Sequence, residues 1–207
     1  MTIPDTATRS PARPPGRPRE FDMNDALDAA IRIFSEKGYH GTSISELKSA
    51  MGLTAGSIYK AFRDKRDVFI AAYDRYKQVR ADLLDEALDT AGNGREKLSR
   101  VVGFYAMAAC GETGRRGCLA IGAAVELTLS DPQIAERVSL HNGRLVERIE
   151  AFIREGQADG SIRPELAPAP TALALFSYLQ GIRIAGKTAA LESQTLASAE
   201  TVLRLLE

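Results

Sequence analysis

Basic side chains are unevenly distributed in this chain of 207 residues, in which 27 lysines and arginines balance 27 acidic residues. One group precedes residue 20 and contains no acidic residue: Arg9, Arg13, Arg17 and Arg19. A second group lies at residues 60–66: Lys60, Arg63, Lys65 and Arg66. Local basic clusters on a neutral protein suit a polyanion that is met at one end of the molecule. The chemistry indicated is therefore the binding of phosphate groups.

Small side chains precede the second group. Residues 55–57 are Ala, Gly and Ser, and Tyr59 and Lys60 follow with polar tips. Ile58 and Phe62 have the spacing of an inward face. A helix with so little bulk over its first turn can bring its backbone close to another surface, as the second helix of a helix-turn-helix does in the major groove of DNA. An ordinary helical hairpin also carries such residues, so spacing alone leaves both interpretations open.

The residues just before this segment predict the first helix of such a pair. Ser43 can cap a helix, and Glu46 can return a hydrogen bond to the N–H of the cap. Apolar residues then recur at helical spacing: Ile44, Leu47 and Met51. Gly52 can end this helix in a left-handed conformation, and Thr54 can cap the next one. Residues 43–62 are therefore predicted to form a helix-turn-helix.

Longer helices are predicted on both sides of this pair. The first spans residues 24–37, ends at Gly38 and has one apolar stripe: Leu27, Ala30, Ile31 and Phe34. The second spans residues 65–88 and is too long to stay within a small N-terminal unit. It is therefore expected to act as a lever between that unit and the rest of the chain.

The chain is expected to be all-α and to have three parts. Residues 1–19 form a flexible arm rich in Pro and Arg, whose arginines either enter a minor groove or belong to a disordered leader. Residues 20–80 form the DNA-binding domain. Residues 81–207 form a helical bundle without strand patterns, with helices at 95–110, 118–130, 131–157, 171–187 and 193–206, and with loops at 111–117 and 164–170.

The motifs in the first third of the chain resemble those of the tetracycline-repressor (TetR) family. They are GRPREF at 16–21, GSIYKAF at 56–62 and DKRDVF at 64–69, with Gly38, Thr42, Ser43 and Gly52 between the first two. The resemblance implies an N-terminal three-helix DNA-binding domain and a divergent helical ligand domain. It also implies a homodimer that releases DNA when a small molecule binds.

The resemblance also implies roles for single residues. Tyr59 and Lys65 fall on the phosphate-contacting tyrosine and lysine of the family, and Ser43 caps the helix that leans on the DNA backbone. Arg63 stands where many relatives have Gly, which adds a positive charge. The DNA-binding residues predicted from motif and spacing together are Arg17, Arg19, Ser43, Thr54, Ala55, Gly56, Ser57, Tyr59, Lys60 and Lys65.

Two late helices carry more apolar surface than one chain needs to bury. The helices at 134–152 and 171–185 are expected to pair with their copies in a second chain as a four-helix bundle, because a monomer rarely exposes such a patch. A two-fold dimer would space its recognition helices by about 34–36 Å and require a near-palindromic operator. The alternative is that both helices are simply core.

A small-molecule effector is expected to bind among the helices of the C-terminal part, in a mainly apolar site with a few polar groups. The residues predicted to line it are Phe104, Met107, Cys110, Cys118, Ile121, Val125, His141 and Phe176. Cys118, or Cys110, is alternatively a thiol sensor of electrophiles, with Arg115 and Arg116 lowering its pKa. An inert core thiol and a buried, hydrogen-bonded histidine are the simpler interpretations.

Other classes of protein find little support in the sequence. An enzyme would need a phosphate loop, a nucleophile–base set or a carboxylate pair at catalytic spacing, and none is seen. Two histidines and two cysteines lie at no metal-ligand spacing, and no cofactor is expected. No apolar run approaches the ~20 residues that span a bilayer, so a cytoplasmic protein is expected. The function predicted is a repressor that binds operator DNA as a homodimer and is released by a small-molecule effector.

Overall fold

The computed structural model describes residues 22–188, 192–204 and 206, and within these ranges the fold is all-α without a strand. The predicted arm at 1–19, with Arg17 and Arg19, lies outside the described residues. The helices in chain order are α1 Met23–Lys37, α2 Ile44–Met51, α3 Ala55–Ala61, α4 Lys65–Leu88, α5 Gly94–Ala108, α6 Gly111–Arg116, α7 Leu119–Glu126, α8 Pro132–Asp159, α9 Pro168–Ala185 and α10 Glu192–Arg204, with a 3-10 helix at Gly186–Thr188 between the last two.

The boundaries of the helices differ from prediction in several places; for example, α7 ends at Glu126 and not at residue 130. The segment 111–117, predicted as a loop because of its three glycines, forms the short helix α6, which ends at Gly117 with φ 96°. Helix α9 begins within the proline-rich segment, at Pro168. Proline is tolerated there because the first N–H groups of a helix have no intrahelical acceptor and the ring fixes a helical φ.

The first core holds α1, α2, α3 and the first half of α4 together, and it also takes in residues from much later in the chain. Its buried side chains from the N-terminal helices include Phe34, Leu47, Ile58, Phe69 and Tyr73. Those from α7, α8 and their connection are Leu119, Ala123, Leu127, Ile134 and Val138. The hydrophobic core of the N-terminal unit therefore extends beyond residue 80.

The second core joins the C-terminal half of α4 to α5, α8, α9 and α10. Its buried residues include Leu84, Leu98, Ile149, Ile153, Leu179 and Ala199. Helices α5 and α8 cross closely at two glycines: a Cβ on Gly94 would lie 2.2 Å from the backbone nitrogen of Gly156. Gly94 is the first residue of α5, one position before the predicted start of that helix, and glycine is required there by this crossing.

Helices α4 and α8 contribute buried side chains to both cores, and α7 contributes to the first. Helix α7 packs on α1, α4 and α8, and α8 packs on α5, α7 and α9. Among the described helices, none combines the length and the hydrophobicity that a membrane span requires. The architecture is thus a small N-terminal helical unit and a larger bundle, connected by α4, α7 and α8.

Candidate nucleic-acid interface and effector cavity

Helix α3 presents its predicted face to solvent. Ile58 is 1% exposed in the first core and Phe62 packs against the same core. Gly56, Ser57 and Lys60 are exposed, and Tyr59 is 57% exposed. The helix is therefore anchored on one side, while the side with small and polar residues is open to a partner.

The first turn of α3 is organised by its cap. The Thr54 hydroxyl accepts a hydrogen bond from the Ser57 backbone N–H at 3.2 Å and lies 2.9 Å from the Ser57 hydroxyl. Gly56 has a helical conformation, and a Cβ built on it would meet nothing within 4 Å. The fold itself therefore does not require glycine at position 56.

Helix α2 begins with the capping box that the sequence predicts. The Glu46 N–H donates to the Ser43 hydroxyl at 3.2 Å, and the Ser43 N–H donates to the Glu46 carboxylate at 2.8 Å. Lys37 also bonds this carboxylate. Lys37 first and then Ser43 lower the pKa of Glu46 to about 2. The cap is therefore ionised and intact at neutral pH.

The ammonium group of Lys65 lies against the turn between α1 and α2. It donates to the carbonyl oxygens of Tyr39 at 3.0 Å and Thr42 at 2.9 Å, and it lies 4.3 Å from the centre of the Tyr39 ring. An ammonium has three N–H donors, so these two bonds leave one for a DNA phosphate. Lys65 therefore holds the turn that precedes α2, whatever else it contacts.

Several cations near α3 are neutralised by ion pairs. Arg63 bonds Asp67 at 2.6 Å, and Arg66 bonds Asp131, the N-cap of α8, at 2.5 Å. Lys60 and Lys48 have no carboxylate partner among the described residues, and the Lys48 ammonium lies 5.4 Å from the Tyr59 ring. Sequence reasoning missed Lys48, because its position beside Tyr59 depends on how α2 crosses α3.

A cavity of about 390 Å³ lies between α4, α5, α8 and α9. Two of the predicted effector-binding residues, Cys118 and His141, border it. Much of the remaining wall is polar or basic and comes from α4, α8 and α9: Tyr76, Lys77, Arg80, Arg144, Arg148 and Gln180. Sequence reasoning missed these residues because it followed apolar stripes, whereas α4 directs long polar side chains into this space.

The other predicted effector residues do not share this cavity. Ile121 and Val125 line a hollow of about 290 Å³ between α1 and α7, and Val125 is 76% exposed. Phe104 and Met107 line an outer hollow of about 620 Å³ on α5, where Met107 is 65% exposed. The Cys110 thiol donates to the Ala106 carbonyl at 3.3 Å, and Phe176 packs against the second core. The eight residues thus do not surround one cavity.

The thiol of Cys118 lies among polar groups at the border of the cavity. Its sulfur is 3.3 Å from the Tyr76 hydroxyl, and Arg183 reaches the neighbouring Gly117 carbonyl with a 3.0 Å hydrogen bond. Burial opposes ionisation of this thiol, but the positive charge of Arg183 and the Tyr76 hydrogen bond outweigh it, so the pKa of Cys118 is lowered. Arg115 and Arg116, the predicted perturbing residues, are not among the groups that shift it.

Two polar contacts add to the shared first core in connecting the cavity helices to the DNA-binding unit. At the end of α7, the Glu126 carboxylate accepts a hydrogen bond from the His40 N–H at 3.1 Å. At the start of α8, Asp131 holds Arg66 of α4. Cys118, the N-cap of α7, and Ala120 in α7 border the cavity, as does His141 on α8, so both helices join the cavity to the helix-turn-helix unit.

The fold and this interface define the class of protein: a helix-turn-helix DNA-binding protein with a separate helical bundle. A model of bacterial regulatory proteins of the tetR family matches residues 26–72, and one of the tetracyclin repressor-like C-terminal domain matches residues 94–200. The chain belongs to the tetR family of DNA-binding transcriptional regulators.

Individual relatives are similar over nearly the whole chain. The HTH-type transcriptional repressor ComR of Escherichia coli strain K12 is 29% identical over 193 residues, which cover 92% of this chain and 91% of ComR. The transcriptional regulator AcuR of Cereibacter sphaeroides is 28% identical, over 90% of this chain and 89% of AcuR. A cysteine mutant of the regulator CifR, solved with 26-bp double-strand operator DNA, is 27% identical with a TM-score of 0.81, over 93% of this chain and 100% of CifR.

We predict that Gly56→Ala keeps or raises stability and weakens DNA binding. Alanine is favoured over glycine in a helix by up to about 1 kcal/mol, and position 56 has open space for its methyl group. Against a DNA surface the same methyl group would prevent close approach, with an expected loss of about tenfold in operator affinity, or about 1.4 kcal/mol. Thermal unfolding and a filter-binding titration measure the two effects.

Gly103→Ala is the matched control for this substitution. Gly103 lies in α5, far along the chain from α3, and a Cβ on it would also meet nothing within 4 Å. It should keep or raise stability without changing operator affinity. Unchanged DNA binding by the Gly56→Ala variant would remove the role assigned to this face of α3.

We predict that Lys65→Met affects both stability and DNA binding. Loss of the hydrogen bonds to the Tyr39 and Thr42 carbonyls is expected to cost about 1–3 kcal/mol of unfolding free energy. If the ammonium also contacts phosphate, the slope of log K against log salt falls by about 0.9. Lys60→Met, at an exposed lysine, should leave stability unchanged. A Lys65→Met variant with lower stability but an unaltered salt slope would confine Lys65 to holding the turn.

Proposed function

We propose that this protein is a transcriptional repressor that binds a near-palindromic operator as a homodimer and is released by a small-molecule effector. The observation that carries the proposal is the exposed face of α3, on which a glycine that the fold does not need lies beside Ser57, Tyr59 and Lys60. The N-terminal residues of a recognition helix are those that meet base edges. The similarity to ComR, named a repressor, and to CifR, solved with operator DNA, supports this assignment.

Helices α8 and α9 supply the proposed dimer interface. Leu140 on α8 and Leu173 and Ile184 on α9 are 50%, 56% and 58% exposed. Ser177 and Gly181 lie between the last two, are also exposed, and would allow a second copy of the helix to approach closely. These positions fall within the predicted segments 134–152 and 171–185. A four-helix bundle of two α8 and two α9 helices would cover this apolar stripe.

In this proposal, effector binding is coupled to DNA release through α4, α7 and α8. Each has one end in or near the cavity and the other in the first core or in contact with the helix-turn-helix. A ligand that binds more tightly to one arrangement of these helices shifts the population toward it. A coupling of about 1–3 kcal/mol would change DNA affinity by roughly 5–150-fold.

We predict that operator binding depends on the α8–α9 face. Light scattering should give the wild-type protein a mass of twice its chain mass of 22.4 kDa. In a gel-shift assay, the protein should retard DNA that flanks its own gene. The Leu140→Glu/Leu173→Glu double variant should run as a monomer, and its operator affinity should fall by about tenfold or more, since it loses the second half-site. Light scattering and gel shifts measure these effects.

Leu129→Glu is the control for the dimer variant, because Leu129 is fully exposed outside α8 and α9. It should remain dimeric and bind DNA normally. A double variant that stays dimeric would contradict the proposed interface. A dimeric wild-type protein that shifts none of the flanking DNA would contradict regulation of its own gene.

Sensing of electrophiles by Cys118 is a second candidate for the signal. Its support is the lowered pKa of this thiol, its contact with Tyr76 and its place at the border of the cavity. A thiolate attacks an electrophile and the thiol form does not, so a lowered pKa favours reaction at neutral pH. Addition of a maleimide ring to the sulfur would fill space between α4 and α7.

We predict that N-ethylmaleimide weakens operator binding by the wild-type protein and by the Cys110→Ser variant, but not by the Cys118→Ser variant. The rate of alkylation at Cys118 should reach half its maximum at a lower pH than that of a free cysteine, since its pKa is lowered. Mass spectrometry identifies the modified residue. Equal loss of DNA binding in the Cys118→Ser variant would exclude this thiol as the sensor.

A further inference from the structure

Two buried guanidinium groups near the cavity lack enough hydrogen-bond acceptors. Arg183 is 2% exposed, and within the described residues its Nη2 donates to the Gly117 carbonyl, while Nε and Nη1 are buried without an acceptor. Nη2 of Arg80 is likewise buried without an acceptor. Burying a charged N–H group without an acceptor costs free energy. An arginine in a protein does not lose its proton, so deprotonation does not remove this cost.

Arg80 lies on the wall of the cavity, among aromatic rings. Its guanidinium carbon is 4.4 Å from the centre of the Phe104 ring and 5.2 Å from that of Tyr105. Cation–π contact compensates part of the charge, but it provides no acceptor for Nη2. Lys77 lines the same cavity, and burial, with a smaller effect of the Arg80 charge, lowers its pKa.

The acidic residues in the described part of the chain do not balance these cations. Asp74, which also lines the cavity, is paired with Arg137, and Arg148 on the wall is paired with Asp85. The Cys118 thiol, whose pKa is lowered by Arg183 and Arg80 against the effect of burial, would offer them at most one negative charge when ionised. A further negative charge in the cavity would therefore be stabilised by groups that are already in place.

We infer that the effector is a small organic carboxylate, whose charged group is bound by Arg80 and whose body lies along the apolar part of the cavity wall. This inference rests on the proposed role of the cavity as the effector site. The planar fork of a guanidinium matches the two oxygens of a carboxylate. Leu84, Leu145 and Tyr105 supply the apolar wall, and a volume of about 390 Å³ lies in the range that holds small molecules.

Calorimetry on the full-length protein in low-chloride buffer tests this inference. The probes are butanoate, hexanoate, benzoate and 3-phenylpropanoate, each beside its neutral amide, and phenyl phosphate. At least one carboxylate should bind about tenfold more tightly than its amide, as expected for hydrogen bonds to charged groups. The inference is overturned if no carboxylate shows this preference, or if phenyl phosphate binds more tightly than every carboxylate.

Substitution of Arg80 locates the charged group. Arg80→Gln should reduce the preference for the carboxylate over its amide by about tenfold, while Arg80→Lys should retain part of it. Arg144→Gln is the matched control. Arg144 lines the same cavity but is exposed, and its substitution removes the same positive charge. An equal loss in the Arg144→Gln variant would overturn the assignment to Arg80. If Arg80→Gln fails to fold, the comparison of acid with amide on the wild-type protein still decides the inference.

Gel shifts without any probe keep this test separate from the proposed function. Failure of the wild-type protein to bind DNA would contradict the proposed repressor function, while the preference for a carboxylate over its amide would still be measurable. Normal DNA binding without any carboxylate preference would overturn the inference alone. If both hold, the best carboxylate should weaken operator binding by the wild-type protein and by the Arg144→Gln variant, but not by the Arg80→Gln variant.

Discussion

The burial of Ile58 in the first core positions the DNA-binding face. Helix α3 has seven residues, which is too short for a helix to be stable alone in water, so its orientation comes from this anchor and from Phe62 beside it. The same core contains side chains of α7 and α8. The position of the recognition helix is consequently tied to helices that belong to the bundle, and the N-terminal unit is not an independent module.

The charges around α3 show how far a basic sequence can differ from a basic surface. Of the cations clustered at residues 60–66, Arg63 and Arg66 are paired with carboxylates, and Lys65 is bonded to two carbonyls. Lys60 has no such partner within the part of the chain that the structure describes, and the Lys48 ammonium lies beside the Tyr59 ring. The ion pair of Arg66 with Asp131 has a further consequence, since it connects the start of α4 to the cap of α8, next to the residues that face DNA.

The cavity differs in character from the apolar site that the sequence suggested. Its wall is rich in cations from α4 and α8, and the buried Arg183 lies close to Cys118. A thiol sensor and a site for an organic anion use the same electrostatic field, because the charge that lowers the pKa of a thiol also attracts a carboxylate. Both proposals place the signal at the cavity, which is bordered by residues of α4 and α8 and by the start of α7.

Local chemistry in the sequence determined where the helices begin and end near the DNA-binding face. The capping box of Ser43 and Glu46, the left-handed Gly52 and the Thr54 cap involve residues within a few positions of one another, so their pattern is readable without a fold. The all-α class and the outward face of α3 followed from the same periodicity. The prediction of a loop at 111–117 was wrong, because packing of α6 against the 3-10 helix, α1 and α5 supports a short helix of six residues despite the glycines.

Only the tertiary structure decided the features that depend on distant residues. It paired Lys65 with the turn at Tyr39 and Arg66 with Asp131, and it placed Gly94 against Gly156. It also separated Met107 and Val125 from the cavity that Cys118 and His141 share with Arg80. Helical spacing shows which side of a helix a residue occupies, but which helix lies opposite is set by packing between segments far apart in the chain.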